Sequence, residues 1–360
     1  MQRVILVLTA GFGDGHNTAA ASVADALRRL APAEAVQVSD LVSEAQPSLA
    51  GVLKSLYQVA ITHLPGAWRF LYQKLATSDL DPGKNAWMRP LLSHLRRQIE
   101  LLQPRLIIST YPLYAGLLAS LRLEMEVPRL VTVITDSTSI HPIWLMAPSD
   151  LYCVSDVETR EVIEKMGVPP SKIRVTGFPV SLQFVEPLPP EAAHGAPARI
   201  LYLPSTPAGH VAMTLESLRP LLQQGVKLTL PVGKHRSRLF HVLRRFGDSL
   251  PPGAMEVIGW TTRIPELLRT HDVVICKAGG AILHEVMAAR TAAVIDYVVP
   301  GQEEGNADYL LSRRCALRAH SPEETGKAVT QVLADGGRLA AAKRENLLAI
   351  SVPDAALRVA

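Results

Sequence analysis

Cysteine is scarce in this sequence, which holds only Cys153, Cys276 and Cys315 in 360 residues. Their wide separation gives neither a disulfide framework nor a metal-ligand spacing, as expected in a reducing compartment. No apolar run approaches the roughly 20 residues that span a bilayer. The short run at residues 4–8 ends in glycines, which predicts a buried strand rather than a signal peptide. We therefore expect a cytoplasmic protein whose membrane contact, if any, is peripheral.

Charged residues are also few, at 19% of the chain against 48% hydrophobic residues. A chain of this length and hydrophobicity can bury two cores, so two domains are expected. The formal net charge of +4 is mild, and we expect no nucleic-acid partner. The charge is unevenly placed, because residues 50–99 contain seven basic and two acidic side chains and thus carry the whole positive excess.

This basic segment, extended to residues 50–103, has a predominantly helical pattern. Its aromatic residues are Tyr57, Trp68, Phe70, Tyr72 and Trp87, and its last helical stripe is Leu91, Leu92, Leu95, Ile99 and Leu102. Basic amphipathic helices with interfacial aromatic residues suit a membrane-surface anchor. The segment is therefore predicted to contact a membrane peripherally. The alternative is a set of ordinary core helices with solvated basic side chains.

Short apolar runs alternate with helical patterns along the rest of the chain. The predicted strands are residues 3–8, 36–38, 105–109, 130–134, 151–154, 173–176, 199–203, 227–232, 256–258, 272–276 and 292–297. Such alternation predicts an α/β fold with two Rossmann-like doubly wound domains. The domains are residues 1–180 and 199–337, joined by a proline-rich linker at 181–198. Residues 338–360 are expected to form terminal helices that pack back on the first domain.

A strand, a glycine turn and a helix follow one another at residues 272–287. Gly279 and Gly280 allow close backbone approach to a ligand, and the N-terminus of the following helix favours a phosphate. Glu285 falls within the first two turns of this helix, where a carboxylate reaches ribose hydroxyls. A plain tight turn is the alternative, because an isolated glycine pair is a weak signal.

The next strand leads into a polar loop that begins at Pro300. Nothing apolar interrupts Gln302, Glu303 and Glu304, so these side chains are expected to face water or a polyhydroxyl ligand. A solvated surface loop is the alternative.

A further glycine loop, Gly11-Phe12-Gly13-Asp14-Gly15, follows the first strand and precedes His16. Side chains at this edge of a parallel sheet point into the ligand crevice, and an imidazole there is suited to proton transfer. A structural histidine that caps the helix is the alternative. The glycine spacing does not fit a dinucleotide site, despite Asp40 at the end of the second strand.

Another polar segment follows the strand at 130–134. It contains Asp136, His141 and Trp144, an arrangement that suits an acceptor site at a strand end.

These motifs resemble one family. Lys277-Ala278-Gly279-Gly280, the later Glu285, and the loop from Pro300 through Asn306 to Ala307 are similar to the donor half of the monogalactosyldiacylglycerol synthases and processive diacylglycerol glucosyltransferases, relatives of the peptidoglycan N-acetylglucosaminyltransferase. The segments around His16, around Asp136 and at residues 176–180 also resemble this family.

The resemblance implies a GT-B architecture and an inverting transfer of a hexose from a UDP-sugar to a lipid such as diacylglycerol. His16 would be the base, with Asp136 as base or base-orienting residue. His141 and Trp144 would belong to the acceptor site. The donor would be bound by Gly15, Ile258, Gly259, Lys277, Gly279, Gly280, Glu285, Gln302, Glu303 and Asn306. No metal and no cofactor is expected, because helix N-terminal donors would stabilise the leaving diphosphate.

The sequence departs from this family at residues 204–210 and 277–282, where phosphate would bind. Two alternatives therefore stay open, a UDP-sugar epimerase on the same fold and a catalytically impaired relative that binds nucleotide or lipid.

Overall fold

The computed structural model describes residues 3–12, 14–48, 51–52, 88–137, 140–187, 196–300 and 303–360. The chain divides into two compact units. The first comprises Met1–Leu182 and Asp354–Ala360, and the second comprises Gln183–Pro353. Each unit contains one six-stranded parallel sheet, so the predicted fold class is confirmed.

The sheet of the first unit has the strand order β2-β1-β3-β4-β5-β6. Its strands are β1 (Val4–Thr9), β2 (Ala35–Asp40), β3 (Leu106–Ser109), β4 (Arg129–Val133), β5 (Leu151–Val154) and β6 (Ile173–Val175). Its helices are α1 (Asp14–Leu30), α2 (Leu41–Ala45), α3 (Arg89–Leu102), α4 (Leu113–Leu121), α5 (Val157–Lys165) and, at the end of the chain, α12 (Ala355–Val359). Short 3-10 turns at Pro142–Leu145 and Pro170–Lys172 complete it.

Strand β1 lies between β2 and β3 in this sheet and is buried on both faces. Ile5 and Val7 pack in one cluster with α1, whereas Leu6 and Leu8 pack in a second cluster with α3 and α4. Because side chains alternate across a strand, an uninterrupted apolar run is what a sheet covered on both sides requires. Val359 of α12 packs against the α1 cluster.

Helix α3 belongs to the core of the first unit. Leu91, Leu95 and Ile99 are at most 4% exposed and pack with the strands, so the apolar stripe predicted as a membrane-facing surface is a core stripe. Arg96 on the same helix pairs with Glu124. Residue 50 and residues 53–87 of the predicted membrane segment lie outside the described residues. Among the described helices, none combines the length and the hydrophobicity needed to cross a bilayer.

The sheet of the second unit has the strand order β12-β11-β10-β7-β8-β9. Its strands are β7 (Arg199–Tyr202), β8 (Lys227–Pro231), β9 (Met255–Ile258), β10 (Val273–Lys277), β11 (Ala292–Tyr297) and β12 (Ala316–Arg318). Its helices are α6 (Ala208–Gln223), α7 (Arg236–Gly247), α8 (Ile264–Thr270), α9 (Gly280–Ala289), α10 (Glu304–Ser312) and α11 (Pro322–Leu348), the last interrupted at residues 334–337.

The eleven predicted strands all occur, with ends that differ by at most two residues. Strand β12 was not predicted. Of residues 338–360, those up to Pro353 lie in the second unit and only the last seven lie in the first. Of the predicted linker at 181–198, residues 188–195 lie outside the described residues.

In each sheet, the strand order changes direction at one point, because later strands of the chain are added on the other side of the first strand. In the first unit this point lies between β1 and β3, and in the second between β7 and β10. Open α/β sheets bind ligands outside the carboxyl ends of the strands at this point. The loops after β1, β3, β7 and β10 are therefore where a site is expected.

Candidate active site

The loop after β1 is fixed by Asp40, at the end of the neighbouring strand β2. The Gly11 N–H donates to Asp40 Oδ2 at 3.2 Å, and the Ser43 N–H donates to Oδ1 at 3.1 Å, which caps α2. A dinucleotide site would need this acid for a ribose hydroxyl. Because the carboxylate has internal partners, the arrangement gives no support to the dinucleotide alternative.

His16 lies in the first turn of α1 and is partly accessible to solvent. Its Nδ1 atom lies 2.9 Å from the Thr110 carbonyl oxygen, just after β3, and 2.7 Å from Thr135 Oγ1, just after β4. A carbonyl oxygen accepts only, so Nδ1 carries the proton of the neutral ring. Nε2 then carries the lone pair and forms no hydrogen bond with any described residue. The three strand ends thus present a histidine whose free nitrogen is an acceptor of protons.

Asp136 is the charged partner of His16. Burial lowers the pKa of His16, and the negative charge of Asp136 raises it in part. Burial also raises the pKa of Asp136, against the opposing effects of His16 and of a hydrogen bond from Trp144. The structure therefore brings together the two residues predicted as catalytic, in a poorly solvated place where a neutral imidazole is favoured.

Trp144 and His141 are buried, and both act on Asp136. The Trp144 indole Nε1–H donates to Asp136 Oδ2 at 2.7 Å, and the indole is only 1% exposed. His141 is also buried, and its Nδ1 accepts from the Ile143 N–H at 3.2 Å, which caps the 3-10 turn. These contacts make Trp144 a positioning residue for Asp136. The predicted contact of both residues with an acceptor stays a prediction.

Sequence reasoning missed Thr110 and Tyr111, which complete the surroundings of His16. The Tyr111 ring meets the His16 ring edge-on, with centroids 5.1 Å apart. For Tyr111, the position just after a predicted strand of the same sheet was the available signal. The part played by Thr110 had none, because it uses the main-chain carbonyl.

In the second unit, the turn after β10 leads straight into α9. Gly279 is the N-cap of α9 and no side chain caps the helix, so the first N–H groups have no partner from a capping side chain. A Cβ atom on Gly279 would lie 2.9 Å from Lys277 Nζ, so a larger residue would displace that lysine. A helix N-terminus that has no side-chain cap, and whose backbone a ligand can reach past a glycine, is suited to binding an anion.

The polar loop after β11 is joined to this turn. Lys277 Nζ forms an ion pair with Glu303 Oε1, and Glu303 Oε2 accepts from the Val299 N–H at 3.0 Å. The Asn306 amide donates to the Ala278 carbonyl oxygen at 3.2 Å. The two donor motifs therefore lie together, as adjacent parallel strands require.

The same contacts restrict what Glu303 can do. It is 7% exposed and both of its oxygens have internal partners, so contact with a sugar hydroxyl requires one of those bonds to be exchanged. Gln302 lies outside the described residues. The sugar-binding roles of both residues remain predictions.

Glu285 differs from Glu303 in having no internal partner. It is partly exposed on α9, and no described residue donates a hydrogen bond to it. Burial raises the pKa of Glu285 to about 7 from its usual 4.5. A poorly solvated carboxylate without a donor is well suited to accept hydrogen bonds from a ligand hydroxyl.

The remaining predicted donor residues lie at other strand ends. Ile258 closes β9 at the edge of the second sheet, and its carbonyl oxygen accepts from the Val232 N–H at 2.8 Å. Gly259 follows it, and a Cβ atom at this position would meet open space. Gly15 lies in α1 of the first unit, next to His16.

Sequence reasoning also missed a pair near the loop after β7, which joins the partly buried His210 to the buried Asp296. His210 Nε2, in the first turn of α6, lies 3.3 Å from Asp296 Oδ2 at the end of β11. Asp296 is 3% exposed, and its Oδ1 atom has no hydrogen-bond partner among the described residues. His210 is the last of residues 204–210, where the sequence departs from the family pattern.

The sequence is similar to those of known glycolipid-synthesising enzymes. The sequence profile of the monogalactosyldiacylglycerol (MGDG) synthase family matches residues 16–180. The processive diacylglycerol beta-glucosyltransferase of Bacillus licheniformis is 27% identical over 344 residues, which cover 93% of this chain and 88% of that protein. The probable chloroplastic monogalactosyldiacylglycerol synthase of Nicotiana tabacum is 24% identical over 375 residues, which cover 99% of this chain and 69% of that protein.

Among solved structures, MurG of Acinetobacter baumannii superposes with a TM-score of 0.61 at 17% identity. The superposition covers 100% of this chain and 98% of that one. The family resemblance drawn from the sequence is thus confirmed, and this chain is a glycosyltransferase related to the monogalactosyldiacylglycerol synthases and the processive diacylglycerol glucosyltransferases.

Proposed function

We propose that the protein transfers a hexose from a UDP-sugar to a hydroxyl group of a lipid acceptor such as diacylglycerol, with inversion at the anomeric carbon. It would act at the cytoplasmic membrane surface, with peripheral attachment. The observation that carries the proposal is the orientation of His16, whose Nδ1–H is held by a main-chain carbonyl while Nε2 is left as an acceptor.

In this proposal His16 is the general base. Nε2 takes the proton of the acceptor hydroxyl as its oxygen attacks the anomeric carbon, and the bond from that carbon to the diphosphate breaks. The resulting imidazolium is stabilised by the negative charge of Asp136, which Trp144 holds in place. General base catalysis of this kind contributes about 10²–10⁴-fold to a rate.

The second unit would bind the donor. The uncapped N-terminus of α9 offers N–H groups to the diphosphate, and its helix dipole offsets the charge that develops on the leaving group. Glu285 would accept hydrogen bonds from the ribose hydroxyls, and the backbone at Ile258 and Gly259 would receive the uracil. We propose no metal or cofactor, since these donors supply the electrostatic stabilisation.

The acceptor class rests on the relatives. The relatives from Bacillus licheniformis and Nicotiana tabacum are named for diacylglycerol, and the matches cover 93% and 99% of this chain. A base in poorly solvated surroundings favours a lipid acceptor, because less water is present there to attack the donor sugar in place of the lipid hydroxyl group.

The test is a transfer assay with radiolabelled UDP-sugars and vesicles that contain diacylglycerol. We expect labelled glycolipid, and we expect His16→Ala to lower kcat by at least about 10²-fold with UDP affinity unchanged. His320→Ala is the matched control, because it removes an exposed histidine outside the site and should leave transfer intact.

Other outcomes identify the alternatives. Interconversion of UDP-sugars without lipid would indicate an epimerase. Binding of UDP in a calorimeter without turnover of any donor would indicate a catalytically impaired relative. Transfer that survives His16→Ala would refute the proposed base.

A further inference from the structure

Four buried polar side chains of the second unit lie near the carboxyl end of its sheet, and the proposed transfer uses none of them. They are Tyr202 at the end of β7, Thr206 in the loop after it, Thr214 in α6 and Asp296 near the end of β11. Each is at most 3% exposed. The second unit thus buries three hydroxyl groups and one carboxyl group beside its apolar core.

The register of the strands places two of these groups on the same face of the sheet. Tyr202 pairs with Ile275 of β10, and Ile275 pairs with Val294 of β11. Asp296 follows Val294 by two residues and therefore lies on the same face, because side chains alternate along a strand. Helix α6 covers this face, since its buried apolar residues belong to the same cluster as Tyr202 and Val294.

The four groups are close enough to influence one another. Burial raises the pKa of Tyr202, and the negative charge of Asp296 raises it further. The hydroxyl groups of Thr214 and Thr206 lower the pKa of Tyr202. A neutral hydroxyl group has such an effect only at short range. The two threonines and Asp296 therefore all lie near the phenol group.

None of these groups has its hydrogen bonds completed by the protein. Tyr202 Oη, Thr206 Oγ1, Thr214 Oγ1 and Asp296 Oδ1 have no hydrogen-bond partner among the described residues. Asp296 Oδ2, the other carboxyl oxygen, lies 3.3 Å from His210 Nε2. In the described part of the chain five buried side-chain atoms are in this situation, and four of them belong to this one cluster. Because unpaired buried polar atoms are costly, their concentration in one place indicates a bound group.

The donors and acceptors of the cluster select that group. Three O–H donors stand against one atom that only accepts, Asp296 Oδ1, so the bound group must accept hydrogen bonds as well as donate one. A metal cation accepts none and would leave the hydroxyl protons unpaired. An anion would be repelled by the carboxylate. Because all four atoms are buried, the group must also be small, and water meets each of these conditions.

We propose that Tyr202, Thr206, Thr214 and Asp296 form a binding site for an internal water molecule. The water donates to Asp296 Oδ1 and accepts from the hydroxyl groups, so it links β7, the loop after it, α6 and β11. Because Asp296 also contacts His210 through Oδ2, the same water fixes the carboxylate that holds His210 in the first turn of α6. This site does not depend on the identity of the substrates.

The test compares threonine-to-valine variants of the full-length protein by thermal unfolding, because valine has the shape of threonine without its hydroxyl group. Removal of a dry, unpaired hydroxyl group would raise the melting temperature, whereas removal of one that binds the water lowers it. We expect Thr214→Val to lower the melting temperature by about 2–4 °C. Thr229→Val is the control and should lower it similarly, because Thr229 is buried and its Oγ1 contacts His271 Nε2 directly at 2.9 Å.

A crystal structure that resolves ordered water gives the direct readout. We expect one water peak within hydrogen-bond distance of both Tyr202 Oη and Asp296 Oδ1. The parent should also melt at the same temperature in sodium, potassium and choline chloride of equal concentration.

The proposal is overturned if Thr214→Val melts at or above the temperature of the parent, or if the crystal shows no water peak at the cluster. It is also overturned if sodium or potassium chloride stabilises the parent over choline chloride but does not stabilise Asp296→Asn, because this result would indicate a bound cation. No sugar donor is present in these measurements, so their outcome is separate from that of the proposed transfer.

Discussion

Removing the negative charge of Asp136 is the most informative test of the proposed role of His16. Asp136→Asn leaves the side chain the same size and retains an oxygen that can accept the Trp144 Nε1–H, which lies 2.7 Å away in the parent. It also leaves the His16 tautomer in place, because Nδ1 is held by the Thr110 carbonyl oxygen. The substitution therefore isolates the electrostatic effect of the carboxylate on the imidazolium.

The expected loss follows from Coulomb's law. At an effective dielectric constant of about 20, two opposite charges attract by about 4 kcal/mol at about 4 Å and by about 2 kcal/mol at about twice that separation, and the smaller value is used for His16 and Asp136. If that attraction is lost from the transition state, kcat/KM falls about 30-fold. The fold should not suffer, because burial disfavours the ionised carboxyl group and raises its pKa in the parent.

The pH dependence supplies a second readout. The Asp136 charge raises the pKa of His16 against the lowering effect of burial. Without that charge the pKa of His16 falls further, and the base stays deprotonated to a lower pH. The acidic limb of the kcat/KM profile should therefore move to lower pH in Asp136→Asn.

The assay measures the rate of glycolipid formation over a range of pH, at a saturating concentration of vesicles. Asp25→Asn serves as the control, because it removes the same charge from an exposed side chain on the same helix as His16. The reasoning is refuted if Asp136→Asn retains full kcat/KM, or if its acidic limb stays in place or moves to higher pH.

Glu285→Gln should weaken UDP binding, as measured in a calorimeter. It should also raise the free energy of unfolding above pH 7 by up to about 3 kcal/mol, because burial raises the pKa of the parent carboxyl group to about 7. The folded parent prefers the protonated carboxyl, so this advantage should be small near pH 4.5 and grow between pH 4.5 and 7, and a pH-independent difference in denaturant titrations would contradict it. Gly326→Ala should destabilise the second unit by about 1–3 kcal/mol, because its Cβ atom would lie 2.4 Å from the Ser217 carbonyl oxygen where α11 packs on α6. Gly209→Ala, which meets open space in the first turn of α6, is the comparison, and equal melting temperatures for the two variants would show the packing argument to be wrong.

The strands and the two glycine turns were predictable because they depend on local signals. Buried parallel strands are continuous apolar runs, and each predicted motif falls directly after one of them. Because parallel strands end at the same edge of a sheet, the loops after β10 and β11 lie side by side, and Lys277 pairs with Glu303 there.

Other features had no local signal. The apolar stripe of α3 has the same spacing whether it faces a core or a bilayer, so only the packing of Leu91, Leu95 and Ile99 decides between them. The His210 and Asp296 pair joins residues 86 positions apart in sequence. Each of these facts belongs to tertiary structure alone.

The hydrogen bond from His16 to the main chain at position 110 has an evolutionary consequence. Every amino acid carries a backbone carbonyl, so no point mutation at that position can delete the acceptor, and drift there leaves the ring's proton on the same nitrogen. If His16 is the base, as proposed, a protein that fixes it in this manner tolerates wide divergence around it, provided that the first and third strands keep their spacing.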